Sequence, residues 1–460
     1  MFARGFPYFW ARHINIPIIR RWHNIWVDQA LPELLEAQWL SRDELAAHQM
    51  AALATLLKHA WDNCPFYRRR MEAAGLEGGR CDSLEDLTRL PILTKREIQE
   101  HRDEMVARNL DESELYADHT GGSTGDPLHF FRDRGINTSR FRCREHRGNM
   151  MAGWDFGKRA VRLWGAGLDF KPSRSVKGRL RSWAVNEFIL DCTRLDEAQI
   201  AEQIAFMKAF RPQFVVAYTT IAYMFASQLS AQGGATWQSE GVIVTAETLT
   251  PPQREVIEQG FGCKAFNRYG SREVSSTATE CGEHRGLHIA ADQLILEVVD
   301  EQNRPVPPGT PGRIIITDLF NYGMPFLRYD IQDVGVLSDE ICPCGRGLPL
   351  LTEVLGRESD IIKLPSGRRL ACLAIMCGFA QRLKGIRNLQ LVRRGPTDFA
   401  LRIMKGPAYK DEELDYLESR WDELLGGEAH IDYEFVDDIQ RNASGKYQFL
   451  VSELPADGVH

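Results

Sequence analysis

No apolar run in this 460-residue sequence approaches the length needed to span a bilayer. Arg12 and His13 interrupt the only early stretch that resembles a signal-peptide core, so the expectation is a cytoplasmic protein. Positive charge is not in excess: the formal net charge is -7, which gives no global attraction to nucleic acid. There is neither an internal repeat nor a low-complexity tract, which argues against solenoid and largely disordered architectures. Disulfides are not expected either. The ten cysteines occur without a secretory signal and point to reduced thiols or metal ligands.

Acidic residues are absent before Asp28, where Arg4, Arg12, Arg20 and Arg21 alternate with Phe2, Phe6, Tyr8, Phe9, Trp10, Trp22 and Trp26. Such a basic aromatic arm, residues 1–40, suits weak contact with an anionic membrane surface. An arm that folds its aromatics against the body is the commoner arrangement, and Pro7 and Pro17 are expected to interrupt any long helix.

What is present describes a globular protein of two domains. At 43% hydrophobic and 26% charged residues, the chain can bury a sizeable core, and its length exceeds what one core usually serves. A helix opens at Ser41 with Glu44 at capping-box spacing and ends before Pro65. From about residue 115 to 320, β-rich runs such as "PQFVVAYTT" and "EGVIVTAETL" alternate with helical ones such as "DEAQIAEQIAFMKAF". That alternation predicts an α/β domain with helix-covered sheets over residues 1–355. A small mobile α+β domain is expected over 356–460: two strands around a Gly-Pro turn in "LQLVRRGPTDFALRIMK", a helix in "DEELDYLESRWDELL" and a closing strand in "EAHIDYEFV".

Four loops have residues suited to chemistry. "TGGSTGDP", from Thr120 to Pro127, has glycines that let backbone N–H groups face an anion and the hydroxyls of Thr120, Ser123 and Thr124 as further donors. It is not a Walker A loop, because Asp126-Pro127 leads into a strand-like "LHFFRD" rather than a Lys-Ser/Thr helix start. In "NRYGSREV", Glu273 follows Tyr269-Gly270 and could hold a magnesium ion against phosphate oxygens; a surface pair Arg272-Glu273 on a helix's first turn is the plainer reading. "MPFLRYDIQDVG" places Asp330 and Asp333 where one carboxylate could accept both hydroxyls of a ribose. Near the C-terminus, Lys446 sits in "NASGKYQF", a turn from which a point cation could be brought to developing charge.

A metal set is also present. Cys281 with either His284 or His288 precedes "CPCG", with Cys342 and Cys344, by roughly fifty residues. Three thiolates and an imidazole make a closed tetrahedral set suited to zinc.

In order, "TGGSTGDP", "NRYGSREV", "RYDIQD", "GRESD" and "ASGK" resemble the core motifs of the adenylate-forming acyl ligase superfamily, and within it the phenylacetate-CoA ligase group and its capsule and exopolysaccharide-cluster relatives. The resemblance spans roughly residues 40 to 450. It implies ATP-dependent activation of an aryl or acyl acid to an acyl-AMP, followed by transfer to a thiol, with CoA the favoured acceptor. Amide formation, carrier-protein loading and a catalytically inactive, zinc-stapled polysaccharide-assembly partner are the alternatives.

The resemblance assigns Thr120, Gly121, Gly122, Ser123, Thr124 and Gly125 to the ATP phosphates. It gives Mg2+ to Glu273, the adenine and acyl pocket to the segment of Tyr269 and Gly270, the ribose to Asp333, and ribose or phosphate to Arg357. Lys446 becomes the lysine that bridges acyl carboxylate and α-phosphate, and His288 is favoured over His284 as the fourth ligand of a structural Zn2+. Trp164, Tyr218, Ala246, Glu247 and Asn267, at the ends of β-runs, are the substrate-pocket candidates, each equally readable as a packing or capping residue. The chain departs from the family's pattern at three places: Leu128 stands where a lysine often follows the loop, Gln332 where a glycine usually precedes the ribose aspartate, and Ser359 at the hinge.

Overall fold

The computed structural model describes residues 6–22, 27–120, 127–164, 176–192, 197–357, 361–372, 375–376, 379, 382–383, 385–439 and 449–454. Contact density divides the chain into two compact units. One comprises Met1–His119, His129–Ile331 and Val336–Glu353; the other comprises Thr120–Leu128, Gln332–Gly335 and Val354–His460.

In the first unit, the expected runs of β-branched residues become strands Ala160–Trp164, Glu187–Asp191, Phe214–Tyr218, Gly241–Thr245 and Ala265–Ser271, all paired in parallel. They form one half of a single eleven-stranded sheet. Strands Ser275–Glu280, Leu287–Ile289, Leu350–Arg357, Tyr329–Ser338, Pro311–Asp318 and Leu294–Val299 continue it in that order. Ser275–Glu280 joins antiparallel to both Ala265–Ser271 and Leu287–Ile289.

Successive residues of a strand point to opposite faces, so the parallel strands must be apolar on both sides. Val215, Ala217, Val242 and Val244 meet Ile204 and Met207 of helix Glu197–Phe210, Phe225 of helix Thr219–Ala231 and Ile257 of helix Pro251–Phe261. On the other face, Phe214, Val216 and Ile243 meet Cys143 of helix Ile136–Met151 and Leu31 and Leu34 of helix Val27–Ala37. The expected capping box forms at Ser41, whose side chain accepts from the Glu44 backbone N–H, and its helix runs Arg42–Asn63.

The arm departs from its expectation. Pro7 is an N-cap, and Pro17 does not stop the helix: Tyr8–Trp10, Ala11–Asn15 and Ile16–Trp22 are helical without a break. Proline removes one N–H and crowds the preceding turn; here the turn before it widens, and the Ile16 N–H bonds Ala11 O, five residues back. Among the described residues, no helix is long and apolar enough to cross a membrane.

Beneath this arm lies a buried charge network. Arg162 pairs with Glu145 at 2.6 Å and with Glu187, and Arg268 lies 3.2 Å from the same Glu145. His146 sits beside it, stacked on Trp154 at 5.7 Å and edge-on to Phe156 at 4.8 Å, with no partner for its Nδ1. Burial lowers its pKa to about 4, against the opposing pull of Glu145.

The unfolded chain therefore takes up this proton first. The stability that His146 contributes is complete above its ordinary value, about 6.5, and is lost as pH falls through about 4. A shift of this size corresponds to at most about 3 kcal/mol. Replacing His146 with phenylalanine keeps a ring between Trp154 and Phe156 and removes the titration. Thermal melts from pH 7 to pH 4 are expected to show a smaller loss of stability in H146F than in the parent; identical profiles would contradict the assignment.

The second unit has a four-stranded sheet, ordered His430–Phe435, Asp398–Lys405, Ile386–Arg393 and Leu450–Ser452. The two strands around Gly395-Pro396 are antiparallel, and helix Glu412–Leu425 packs Leu417 and Trp421 into their core. His430–Phe435 is a strand as expected, but it does not close the domain: Leu450–Ser452 follows and pairs in parallel with Ile386–Arg393. Three residues are too few to show a period, which is why this strand escapes sequence reading.

Candidate active site and metal centre

All parallel strands of the first unit run the same way, so their C-terminal ends form one rim, where open α/β sheets bind ligands. Trp164 and Tyr218 are the last residues of two adjoining C-terminal strand ends, and their rings pack at 4.7 Å. Ala246 follows strand Gly241–Thr245 with φ 70°, a left-handed residue that turns the chain sharply off the rim. Glu247 is engaged as a cap: its Oε2 accepts from Thr220 N at 2.7 Å and its carbonyl from Thr219 Oγ1 at 3.0 Å, at the start of helix Thr219–Ala231. Asn267 gives its backbone N–H to Glu280, both of whose carboxylate oxygens also accept from one Arg254 nitrogen at 3.0 Å.

The segment "NRYGSREV" is not a helix start, so the surface-pair reading of Arg272-Glu273 fails. Asn267, Tyr269 and Gly270 lie in strand Ala265–Ser271, and Glu273 occupies the hairpin turn before Ser275–Glu280. The ladder slips between Tyr269 and Gly270, and a Cβ at Gly270 would meet Ser275 O at 2.3 Å, so the bulge admits only glycine. Glu273 is 7% exposed, and the Tyr329 hydroxyl donates to its Oε1 at 3.3 Å.

Two buried arginines that sequence reading missed hold this turn. Arg132, on strand His129–Asp133, donates to the carbonyls of Arg272 and Glu273, pairs with Asp118 at 2.6 Å and stacks on Phe141 at 3.8 Å. Arg144 donates to Val274 O at 2.9 Å from one terminal nitrogen and to both carboxylate oxygens of Asp318 from the other, at 2.8 and 2.9 Å. The one sequence signal was an arginine at an inward-facing strand position in "HFFRD". Strand His129–Asp133 pairs with Leu115–His119 in a hairpin, with His119 opposite His129 and their rings stacked at 5.6 Å.

In the second unit, Thr120 N donates to Leu128 O at 3.0 Å and Leu128 N to Thr120 Oγ1 at 2.9 Å, closing the glycine-rich loop at its neck. Leu128, which stands where the motif pattern often has a lysine, is fully buried. Gly121, Gly122, Ser123, Thr124 and Gly125 lie outside the described residues, as do Lys446 and Ser359.

Asp333 is 8% exposed and faces Arg357, whose Nε is 3.3 Å from its Oδ1. The structure thereby separates the two aspartates of "RYDIQD", because Asp330 is taken by Arg313 in the first unit. Gln332 has φ 64°, a conformation that costs most residues about 1 kcal/mol and glycine almost nothing. That geometry is a physical reason for glycine to be the usual residue there.

Cys281, His288, Cys342 and Cys344 converge, with their ligand atoms all within 4.8 Å of one another. Cys281 Sγ is 3.7 Å from Cys342 Sγ, and Cys344 Sγ is 3.3 Å from His288 Nε2. The edge of a tetrahedron around zinc with bonds of about 2.3 Å to sulfur is about 3.8 Å, close to the Cys281–Cys342 separation, so three thiols and one imidazole gathered in this way suit that ion. His288 Nδ1 points at Leu348 O at 3.4 Å, and a carbonyl on the other ring nitrogen is what commonly orients a metal-binding imidazole. His284 is turned away, 3.1 Å from Glu280 and against Phe266. Strand Ser275–Glu280, which begins just past Glu273, is thus brought to the loop that holds Cys342 and Cys344.

Comparisons with known proteins agree with this architecture. Residues 369–453 match the CapK C-terminal domain family. The chain is 27% identical over 333 residues to a phenylacetate-coenzyme A ligase of Thermus thermophilus, covering 71% of this chain and 73% of that protein. It is 21% identical to Protein CapK of Staphylococcus aureus, covering 85% and 86% respectively. Among solved structures, 2-hydroxyisobutyryl-CoA ligase in the postadenylation state, in complex with R3-HIB-AMP, superposes with a TM-score of 0.72 at 19% identity and covers 91% of both chains.

Proposed function

We propose that this chain, which has the fold of the adenylate-forming ligases and is similar in sequence to phenylacetate-coenzyme A ligases, activates a carboxylic acid with ATP and passes the acyl group to a thiol. The observation that carries the proposal is Glu273: a buried carboxylate on a one-glycine bulge, with its turn pinned by Arg132 and Arg144 and a single hydroxyl bond to its Oε1. A surface glutamate would not be held this way.

A carboxylate is a poor electrophile until one oxygen is made a leaving group. Its attack on the α-phosphorus of ATP forms a P–O bond and expels pyrophosphate, giving an acyl-AMP. A thiol then attacks the acyl carbon, AMP leaves, and the thiol proton is released. The acceptor in this reading is CoA. Thr120 and its loop donate to the phosphates, Asp333 accepts the ribose hydroxyls with Arg357 beside it, and Lys446 meets the charge on the α-phosphate. Mg2+ on Glu273 would neutralise phosphate charge. The paired rings of Trp164 and Tyr218 favour an aryl acid. Cys281, His288, Cys342 and Cys344 hold a structural Zn2+ with no open position.

Incubating the protein with ATP, Mg2+ and a panel of aryl and fatty acids, with hydroxylamine as trap, tests this directly. An acid-specific hydroxamate with stoichiometric pyrophosphate is expected. Folded protein that yields neither across the panel would sink the proposal, and adding CoA or amines in place of hydroxylamine identifies the acceptor.

A further inference from the structure

The N-terminal arm turns Tyr8, Phe9 and Trp10 outward. Its inner side is fixed firmly: Asn186 brackets the backbone of Phe6, donating from Nδ2 to its carbonyl at 2.7 Å and accepting its N–H. Phe6 packs edge-on to Trp183 at 4.7 Å, Asn15 donates to Ala184 O at 2.9 Å, and Arg12 and the Tyr8 hydroxyl both reach Asp155. Ala11 and Ile16 are buried. The arm is therefore docked along helix Val176–Val185, yet it presents Tyr8, Phe9, Trp10 and Ile18 to solvent, with Phe9 63% exposed.

The helix it lies along does the same with Val176 and Leu180. These six make up most of the ten large hydrophobic residues that stand exposed among the described residues. Scattered exposed hydrophobics are ordinary, whereas a concentration on two neighbouring helices calls for an occupant.

Charge identifies the occupant. Neither 6–22 nor 176–186 contains an acidic residue, in a chain whose net charge is -7. The exposed charged residues on these helices are Arg21, Lys177, Arg179 and Arg181. The core of a protein–protein interface is depleted in lysine and favours contiguous apolar surface. Here cations alternate with apolar side chains, as in Lys177, Arg179, Leu180 and Arg181, which is the composition of helices that lie in a headgroup region. Tryptophan and tyrosine settle at that depth, and arginine and lysine meet anionic lipid there.

We propose that the face formed by Tyr8–Trp22 and Val176–Val185 docks the protein peripherally on a membrane leaflet that carries anionic lipids. The docking is independent of the ligase assignment and survives its failure.

Flotation with phosphatidylcholine vesicles, with and without phosphatidylglycerol, tests the proposal. The protein is expected to float with the anionic vesicles, to lose most of that binding at high salt, and to ignore pure phosphatidylcholine. The pair F9S/W10S and the pair R21E/K177E should each lower the partition constant by about tenfold or more, with unchanged thermal melting. No binding to the anionic vesicles, or binding unaffected by both variants, would overturn the proposal. So would a concentration-dependent dimer that F9S/W10S abolishes, since the face would then cover a second copy.

Discussion

Glu273→Gln is expected to lower acid-dependent pyrophosphate release by about 100- to 1,000-fold while the protein remains folded. Glutamine keeps the shape of the side chain and an oxygen that can accept the Tyr329 hydroxyl bond. What it loses is the negative charge that would hold Mg2+ against the phosphates. Because the carboxylate is buried on a turn whose three carbonyls are all bonded by Arg132 and Arg144, no neighbouring loop movement readily substitutes for it. Arg132→Met leaves Glu273 in place chemically but frees two of those carbonyls. A misplacement of about 1 Å costs about 100-fold, so this variant should lose kcat with little change in KM for ATP. Steady-state assays of both variants check the pair. Wild-type rates in E273Q would remove Glu273 from the chemistry, and a KM effect alone in R132M would mean that the arginine acts on binding.

Removing the metal is the second large effect. One ion held by Cys281, His288, Cys342 and Cys344 would close a loop of about sixty residues, and loss of a structural zinc site costs several kcal/mol. Protein purified without chelator is expected to carry about one zinc per chain. Chelation, or Cys342→Ser, should lower the melting temperature by about 10 °C or more and expose thiols to a thiol reagent. Metal content near zero in well-folded protein, with melting unchanged in C342S, would leave four reduced side chains and no site. His284→Ala serves as the control: it lies outside the set and should keep its zinc.

How much of this was legible in the sequence depended on the range of the interactions concerned. The helix from Arg42 and the parallel strands were readable because a capping box and apolar runs are local signals. The ordered motifs named Glu273, Asp333 and the thiols by type and sequence, and the structure gathers Cys281, His288, Cys342 and Cys344 and sets Asp333 beside Arg357.

Interactions distant in sequence were not readable. Arg132 meets the Glu273 turn across 141 residues, and nothing local to "HFFRD" specifies that partner. The arm shows another limit. Composition gave it basic and aromatic residues, but only the packing of Ala11 and Ile16 decides which side faces out. The helix through Pro17 was hidden for a related reason: proline predicts a break unless the turn before it can widen. Glu247 was named for a pocket by its place at a strand end, and its carboxylate is used to cap Thr219–Ala231.

Pyrophosphate exchange into ATP, measured with Mg2+ and a carboxylic acid and without any acceptor, tests acid activation more directly than any other assay, because it reports reversible acyl-AMP formation alone. The account predicts exchange that depends on at least one aryl or acyl acid and that collapses in E273Q. Exchange absent with every acid in folded, zinc-replete protein, or exchange that proceeds equally without acid, would contradict it.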